Sequence, residues 1–476
     1  MTNGLNFWDS NVWTFMIEIT LLLGSMMLAN MLRRLIRPLR QSLIPSSVVA
    51  GFLLLLANGV YKRITGSALF ESITLETLTY HGLGLGFVAL ALKTNTRDKA
   101  KHANRDVFDT GVTVVATYLL QGLLGLALTI GLSYLLHNWP ASGLLLPMGF
   151  GQGPGQAYNW GHIYETATDY APFAGGTSFG LTVAAMGFVS ASIGGVIYLS
   201  IMKRKGRIQK RLLNADETED LSAEMVTRKG EIPISESLDK LTVQFGLVFL
   251  TYMFAYLLMY FSSLGLDRLG GFFAGTVKPL IWGFNFLIGT VCAMLLKSIL
   301  TACKRRNIVH REYCNNFMLS RIAGMMFDLM VTASIAAIDL SAFKRAEFVI
   351  PLTAICVVGA VASFLYLNMV AKRIFPTYRD ESFLALYGML TGTASTGVIL
   401  LREIDPLFDT PASGNLIYQQ LWAIVFGFPM LLLMGLAPQS NTFLWITLGS
   451  LAALYVVMNL ILFRRDIFRK KDKPAA

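Results

Sequence analysis

Residues 147–165 read PMGFGQGPGQAYNWGHIYE, and residues 387–406 read YGMLTGTASTGVILLREIDP. Neither is a run that a continuous helix would choose. The first sets glycines at 149, 151, 153 and 155 around Pro154, and an interior Gly costs about 1 kcal/mol and a Pro about 3. Such a run breaks a helix, freeing carbonyls to meet a cation and amides to meet an anion. At membrane depth, broken backbone survives only where it is buried in protein or lines a wet cavity. The pattern therefore predicts two re-entrant hairpins, over 143–165 and 382–404, each starting and ending on one side of a membrane. The competing reading is a glycine-lined close-packing face between helices. A dinucleotide-binding loop is a poor match, because no βαβ context surrounds the glycines.

The chain around these segments is written for lipid. Of its 476 residues 54% are hydrophobic and only 14% charged, against roughly 25% charged in soluble globular proteins. The mean hydropathy is +0.55. A water-soluble enzyme, a disordered chain and a disulfide scaffold are excluded at this step. The four cysteines show no CxxC spacing that would suggest zinc or a disulfide framework. A bilayer core needs roughly 20 apolar residues per helix. That ruler places eleven spans near 11–32, 46–61, 77–92, 107–136, 173–202, 240–262, 277–300, 316–338, 346–370, 417–437 and 442–463. The third is short and glycine-rich (GLGLGF, 82–87), and the first follows an N-terminus without the basic residue of a signal peptide.

The net charge of +11 would suit nucleic acid, but the basic residues cluster beside apolar runs, where they orient membrane helices. With the N-terminus outside, the cytoplasmic segments carry 30 Lys and Arg. The external ones carry five: Lys62, Arg63, Arg268, Lys344 and Arg345. Making either hairpin a full span would spoil that asymmetry. The expected fold class is thus an all-α polytopic membrane protein with eleven transmembrane helices and two re-entrant hairpins in two inverted-topology repeats. The first repeat covers 11–202, a cytoplasmic linker 203–239, the second repeat 240–437, an additional span 442–463 and a basic cytoplasmic tail 464–476. An offset of 239 carries Gly149 to Gly388 and Gly153 to Gly392. Such repeats organise many secondary transporters, whose substrates bind near the midplane. The expected location is the cell membrane.

Candidate binding residues follow from the two broken runs. Gly151, Gln152, Gly153, Gly155, Gln156 and Asn159 offer amides and carbonyls in the first; Thr391 and Thr393 offer hydroxyls beside Gly392 in the second. Thr393, Ser395 and Thr396 carry the hard oxygens that suit Na⁺. Arg402, set in ILLREI, suits a substrate carboxylate as a bidentate fork, or serves as a snorkelling residue or a partner of Glu403. Asp328 interrupts AGMMFDLMVTAS and reads as a cation ligand, a proton carrier or half of a structural ion pair. Glu18 and His81 read as structural. No Walker motif, HExxH, GxSxG elbow or metal-ligating His cluster appears, so no enzymatic chemistry and no cofactor beyond a coupling ion is expected.

At these residues the chain resembles the glutamate:sodium symporter family. EITLLLG (18–24), the basic stretch after it and IPSSVVAGFLL (44–54) are similar to that family's first two spans. MGFGQGPGQAYNWG is similar to its glycine-rich SGGHGTG-type loop followed by Ala and Trp, and YGMLTGTASTGV corresponds to its GFGLGATP-type segment. The resemblance runs in order and spacing over residues 11–437. Four departures stand out: Gln152 where the family commonly has His, a second motif poorer in glycine and lacking its Pro, Asp328 in place of an apolar residue, and the extra span with its tail. The resemblance implies a homodimer that carries a small anionic or amino-acid substrate with Na⁺ by an elevator motion, one domain holding both hairpins. Proton coupling through Asp328, exchange of another organic anion, and a membrane sensor without transport are the competing readings.

Overall fold

A computed structural model describes residues 7–93, 104–206, 239–271, 273–308, 311–405 and 410–464. Most of the 203–239 linker and all but Arg464 of the basic tail lie outside the described residues. Every regular element among the described residues is helical. In the first half of the chain the main helices are α1 (Ser10–Leu35), α2 (Ser46–Thr65), α3 (Ser72–Leu92), α4 (Asn104–Leu136), α5 (Pro154–Glu165) and α6 (Gly176–Arg204). In the second they are α7 (Lys240–Leu269), α8 (Asn285–Arg305), α9 (Asn316–Ala336), α10 (Ala346–Ile374), α11 (Arg379–Thr391) and α12 (Ala394–Arg402), then α13 (Gln420–Leu436) and α14 (Asn441–Leu462). Among the described residues eleven helices are long and apolar enough to cross a membrane, the number expected, and the chain is a polytopic membrane protein.

Most limits agree with the expectation to within a few residues; three differ, the sixth span running to Leu269 rather than 262. The third span starts at Ser72, five residues earlier than its apolar run suggests. The expected 277–300 span is two pieces: a short helix Lys278–Gly283, a break at Phe284, and α8 from Asn285. Apolar composition conceals that break, because Trp282, Gly283 and Phe284 are as lipid-compatible as a helix interior.

The helices form two compact units. The first takes most of α1 with α2, α3, α7, α8 and α9. Its packing explains the glycines of the third span. A Cβ on Gly82 would stand 2.9 Å from Met330 Cβ, one on Gly86 would meet the Phe327 ring, and one on Gly84 the Tyr252 ring. α3 is therefore thin so that α9 and α7 can close on it, around Leu85, Val88, Ala89, Ala293 and Leu319. Lys297 donates to the carbonyls of Ala91 and Lys93 (3.0 and 3.1 Å), a cation at the negative end of a helix. Glu18 Oε1 accepts from the Glu71 amide (2.6 Å), just before α3 starts, a structural role.

The second unit takes α4, both broken segments, α6, α10, α13 and α14. Its long uncharged stretches are 110–161, 170–202, 348–371, 382–401 and 410–463, in which no Asp, Glu, Lys or Arg occurs. α6 supplies its spine. Small residues at 176, 180, 184, 187, 191 and 194 recur at intervals of three and four, which places them on one helix face. Cβ atoms on Gly176 and Gly180 would meet the Gly161 and Ala157 carbonyls of α5, and the Ala184 amide lies against Gly149. Further along, Gly187 abuts the Thr391 carbonyl and Gly194 the Tyr387 ring. One face of one helix thus holds both broken segments.

Candidate functional site

The first broken segment starts as a 3₁₀ turn (Pro140–Leu144), runs through one α turn and a π turn (Met148–Gln152), and stops. Gly153 has φ +84° and ψ −176°, a region essentially reserved for glycine, and the chain restarts as α5 with Pro154 at its first position. The second segment is α11, a break at Gly392–Thr393, and α12. α12 returns along α11: a Cβ on Gly388 would stand 2.7 Å from Gly397 Cα and 3.0 Å from Leu400 Cδ1. Those two glycines let the arms close.

The two breaks meet. A Cβ on Gly153 would lie 3.1 Å from Thr393 Cγ2 and 3.7 Å from the Gly392 carbonyl. Gly153 is the N-cap of α5 and Thr393 the N-cap of α12, and neither has a side-chain cap. The Thr393 hydroxyl instead pairs with those of Ser395 (2.8 Å) and Thr396 (3.3 Å). Two helix starts, each with a partial positive charge, thus converge on a cluster of three hydroxyls, an arrangement that favours an anionic group. The first turns of those helices carry no charged side chain.

Gly151, Gly153, Gly392, Thr393, Ser395 and Thr396 lie at or beside this crossing. Gly151 packs under the Tyr118 ring, and its carbonyl accepts from the Tyr118 hydroxyl (3.1 Å). Gln152 is half-buried, Gly155 buried, and Gln156 and Asn159 lie within α5, 1% and 4% exposed. Thr391 turns its hydroxyl to the Tyr387 carbonyl (2.6 Å), so it bonds its own helix rather than the break. Thr393 is partly open and Ser395 exposed, whereas Thr396 is buried. The close-packing reading holds as well at Gly149 and Gly151, which meet α6 and Tyr118.

Two expected residues are not brought there. Arg402 lies exposed in the last turn of α12, nine residues and about 13 Å along the axis from Thr393. It marks the base of the second hairpin. Asp328 belongs to the first unit, where the Ser47 hydroxyl in the first turn of α2 donates to its carboxylate. It lies on an exposed strip of α9 with Arg321, whose guanidinium sits over the Phe317 ring at 5.1 Å.

Two residues that sequence reasoning passed over frame the crossing from α4. One is Tyr118. The other is Gln121, fully buried, whose amide nitrogen donates to the Leu390 carbonyl (2.9 Å) and to Ser363 Oγ of α10 (2.9 Å). Their signal was present: polar side chains one helical turn apart in an apolar helix. At the base of the second hairpin, burial pushes the Glu381 carboxyl above its ordinary range, with Asp380 and Asp405 adding to the effect. No protein-family model, no curated protein and no solved structure matches this chain.

Proposed function

We propose that this protein is a secondary transporter that couples Na⁺ to the uptake of glutamate or a related small carboxylate, as its resemblance to the glutamate:sodium symporters implies. The observation that carries the reading is the meeting of two helix starts without a side-chain cap at Gly153 and Thr393, within stretches 110–161 and 382–401 that carry no Asp, Glu, Lys or Arg. A carboxylate there is stabilised by backbone amides and hydroxyls. The balancing charge comes from a co-bound cation, because no side chain supplies it. That requirement is the physical origin of coupling: each ligand favours the state the other prefers.

In this reading the two broken segments are re-entrant hairpins and the halves are inverted repeats. The order of elements supports this. Each half has three helices in the first unit, then a fourth, a broken segment and a fifth in the second unit. The offset of 239 carries the break at Gly153 to Gly392, beside the break at Thr393. The unit with both hairpins is the moving part of an elevator, the other is the scaffold of a homodimer, and the N-terminus is external. A second reading, proton coupling, draws on Asp328, a carboxylate within a membrane-crossing helix.

The test is uptake of labelled glutamate and other small carboxylates by proteoliposomes under an inward Na⁺ gradient, a pH gradient, or neither. Uptake that needs Na⁺ supports the proposal. Uptake driven by pH alone replaces it with the second reading, and no uptake of any carboxylate removes it.

A further inference from the structure

We infer that Gln121 is a ligand of a bound monovalent cation, through an amide that ties both broken helices to that ion. Its nitrogen uses both of its hydrogens, on the Leu390 carbonyl and on Ser363 Oγ. Those bonds fix which end of the amide is oxygen, since the reversed amide would set two acceptors against each other at Leu390. The oxygen therefore points the other way. It is buried and has no hydrogen-bond partner among the described residues. A buried carbonyl oxygen left unsatisfied is costly, and a cation removes that cost.

The surroundings select the ion. A Cβ on Gly151 would stand 3.4 Å from Gln121 Oε1, so this oxygen lies against the last residues of the first helix fragment. Leu390, held by the same amide, lies in the last turn of α11. Both fragments end here, and a helix end carries partial negative charge. Anion-favouring helix starts and cation-favouring helix ends thus lie on the two sides of each break. No carboxylate occurs in the central segments of this unit. A divalent ion, which demands carboxylates, is poorly served, whereas an alkali cation is satisfied by neutral oxygens.

The inference deepens the proposed function, but binding is measured without transport. Purified full-length protein in detergent is titrated with NaCl or KCl against N-methylglucamine chloride at constant ionic strength, reading Tm and ²²Na⁺ binding. Wild type should show saturable stabilisation by one alkali cation. Gln121→Leu should weaken it about tenfold or more. A folded Gln121→Leu with wild-type affinity would overturn the assignment. So would a wild type that does not distinguish alkali cations from N-methylglucamine. Cation binding that depends on Gln121 in a protein without uptake would remove transport and keep the ligand. Na⁺-driven uptake with binding indifferent to Gln121 would do the reverse.

Discussion

Gly153 and Thr393 cap the restarting halves of two broken helices and touch: a Cβ on the glycine would stand 3.1 Å from the threonine methyl. Two constraints fall on Gly153 at once, a backbone conformation closed to other residues and a neighbour with no room to spare. Strain of that kind costs of order 1–3 kcal/mol. Gly153→Ala should therefore lower stability by about that amount and remove uptake. Gly131→Ala, on α4 with nothing within 4 Å, should be neutral or stabilising by up to about 1 kcal/mol. Melting temperatures of the two variants in detergent check the contrast; equal values would refute it.

The glycine face of α6 gives a second test. A Cβ on Gly187 would lie 2.3 Å from the Thr391 carbonyl, and backbone cannot swing aside as a side chain can. Gly187→Ala should separate α6 from the second hairpin at about 1–3 kcal/mol, despite the better helix propensity of alanine. Gly246→Ala, an open site, is the control. A Gly187→Ala protein as stable as wild type would mean the hairpin shifts freely along α6.

The eleven spans were legible because lipid solubility is a property of local composition. What each glycine does was not. Gly82, Gly149 and Gly187 exist for close approach, whereas Gly153 exists for its dihedral angles, and the letters are identical. The difference lies in partners far along the chain, such as Met330 beside Gly82. Gln121 shows the same limit: a polar residue in an apolar helix is visible, but its bonds span 242 and 269 residues. Arg402 shows the converse. Its depth in an apolar sequence suggested a binding role, yet α12 is so short that the hairpin base comes within nine residues of the break.

Glu381 predicts a pH dependence. It sits in the first turn of α11, where burial raises its carboxyl above the ordinary 4.5 and the charges of Asp380 and Asp405 add to that. The folded state therefore holds the proton more tightly than the unfolded chain. The protonated group favours folding; that advantage is lost as pH climbs from the ordinary value through the raised one. Glu381→Gln should raise Tm at pH 8 and leave it unchanged near pH 4. A difference independent of pH would show that the glutamate acts through packing alone.

Glu165, the last residue of α5, ties that helix to α6. Its two carboxylate oxygens accept from the Gly175 and Thr177 amides (3.1 and 2.9 Å) at the start of α6. Glu165→Ala leaves those amides open, and loss of a helix cap costs about 0.5–2 kcal/mol. Glu165→Gln, which keeps one acceptor, should lose less. The order Ala below Gln below wild type in Tm is the expected result; identical losses would mean that charge, not acceptance, stabilises the turn.

The sharpest division falls between Thr393 and Arg402. Were the anion held by the guanidinium, Arg402→Ala would abolish uptake and Thr393→Val would be mild. The geometry argues the reverse. Arg402 is exposed at the hairpin base, whereas Thr393 caps the helix start at the crossing and its hydroxyl orders those of Ser395 and Thr396. Thr393→Val keeps the methyl that meets Gly153 and removes only the hydroxyl. One hydrogen bond to a charged group contributes about 1.5–3 kcal/mol, so its loss should weaken substrate affinity by about tenfold to a hundredfold. Arg402→Ala should keep uptake within about threefold of wild type, as expected for a surface residue away from the site. Both variants are measured in the same proteoliposomes at several substrate concentrations. Loss of uptake in Arg402→Ala alone would move the anion from the crossing to the hairpin base.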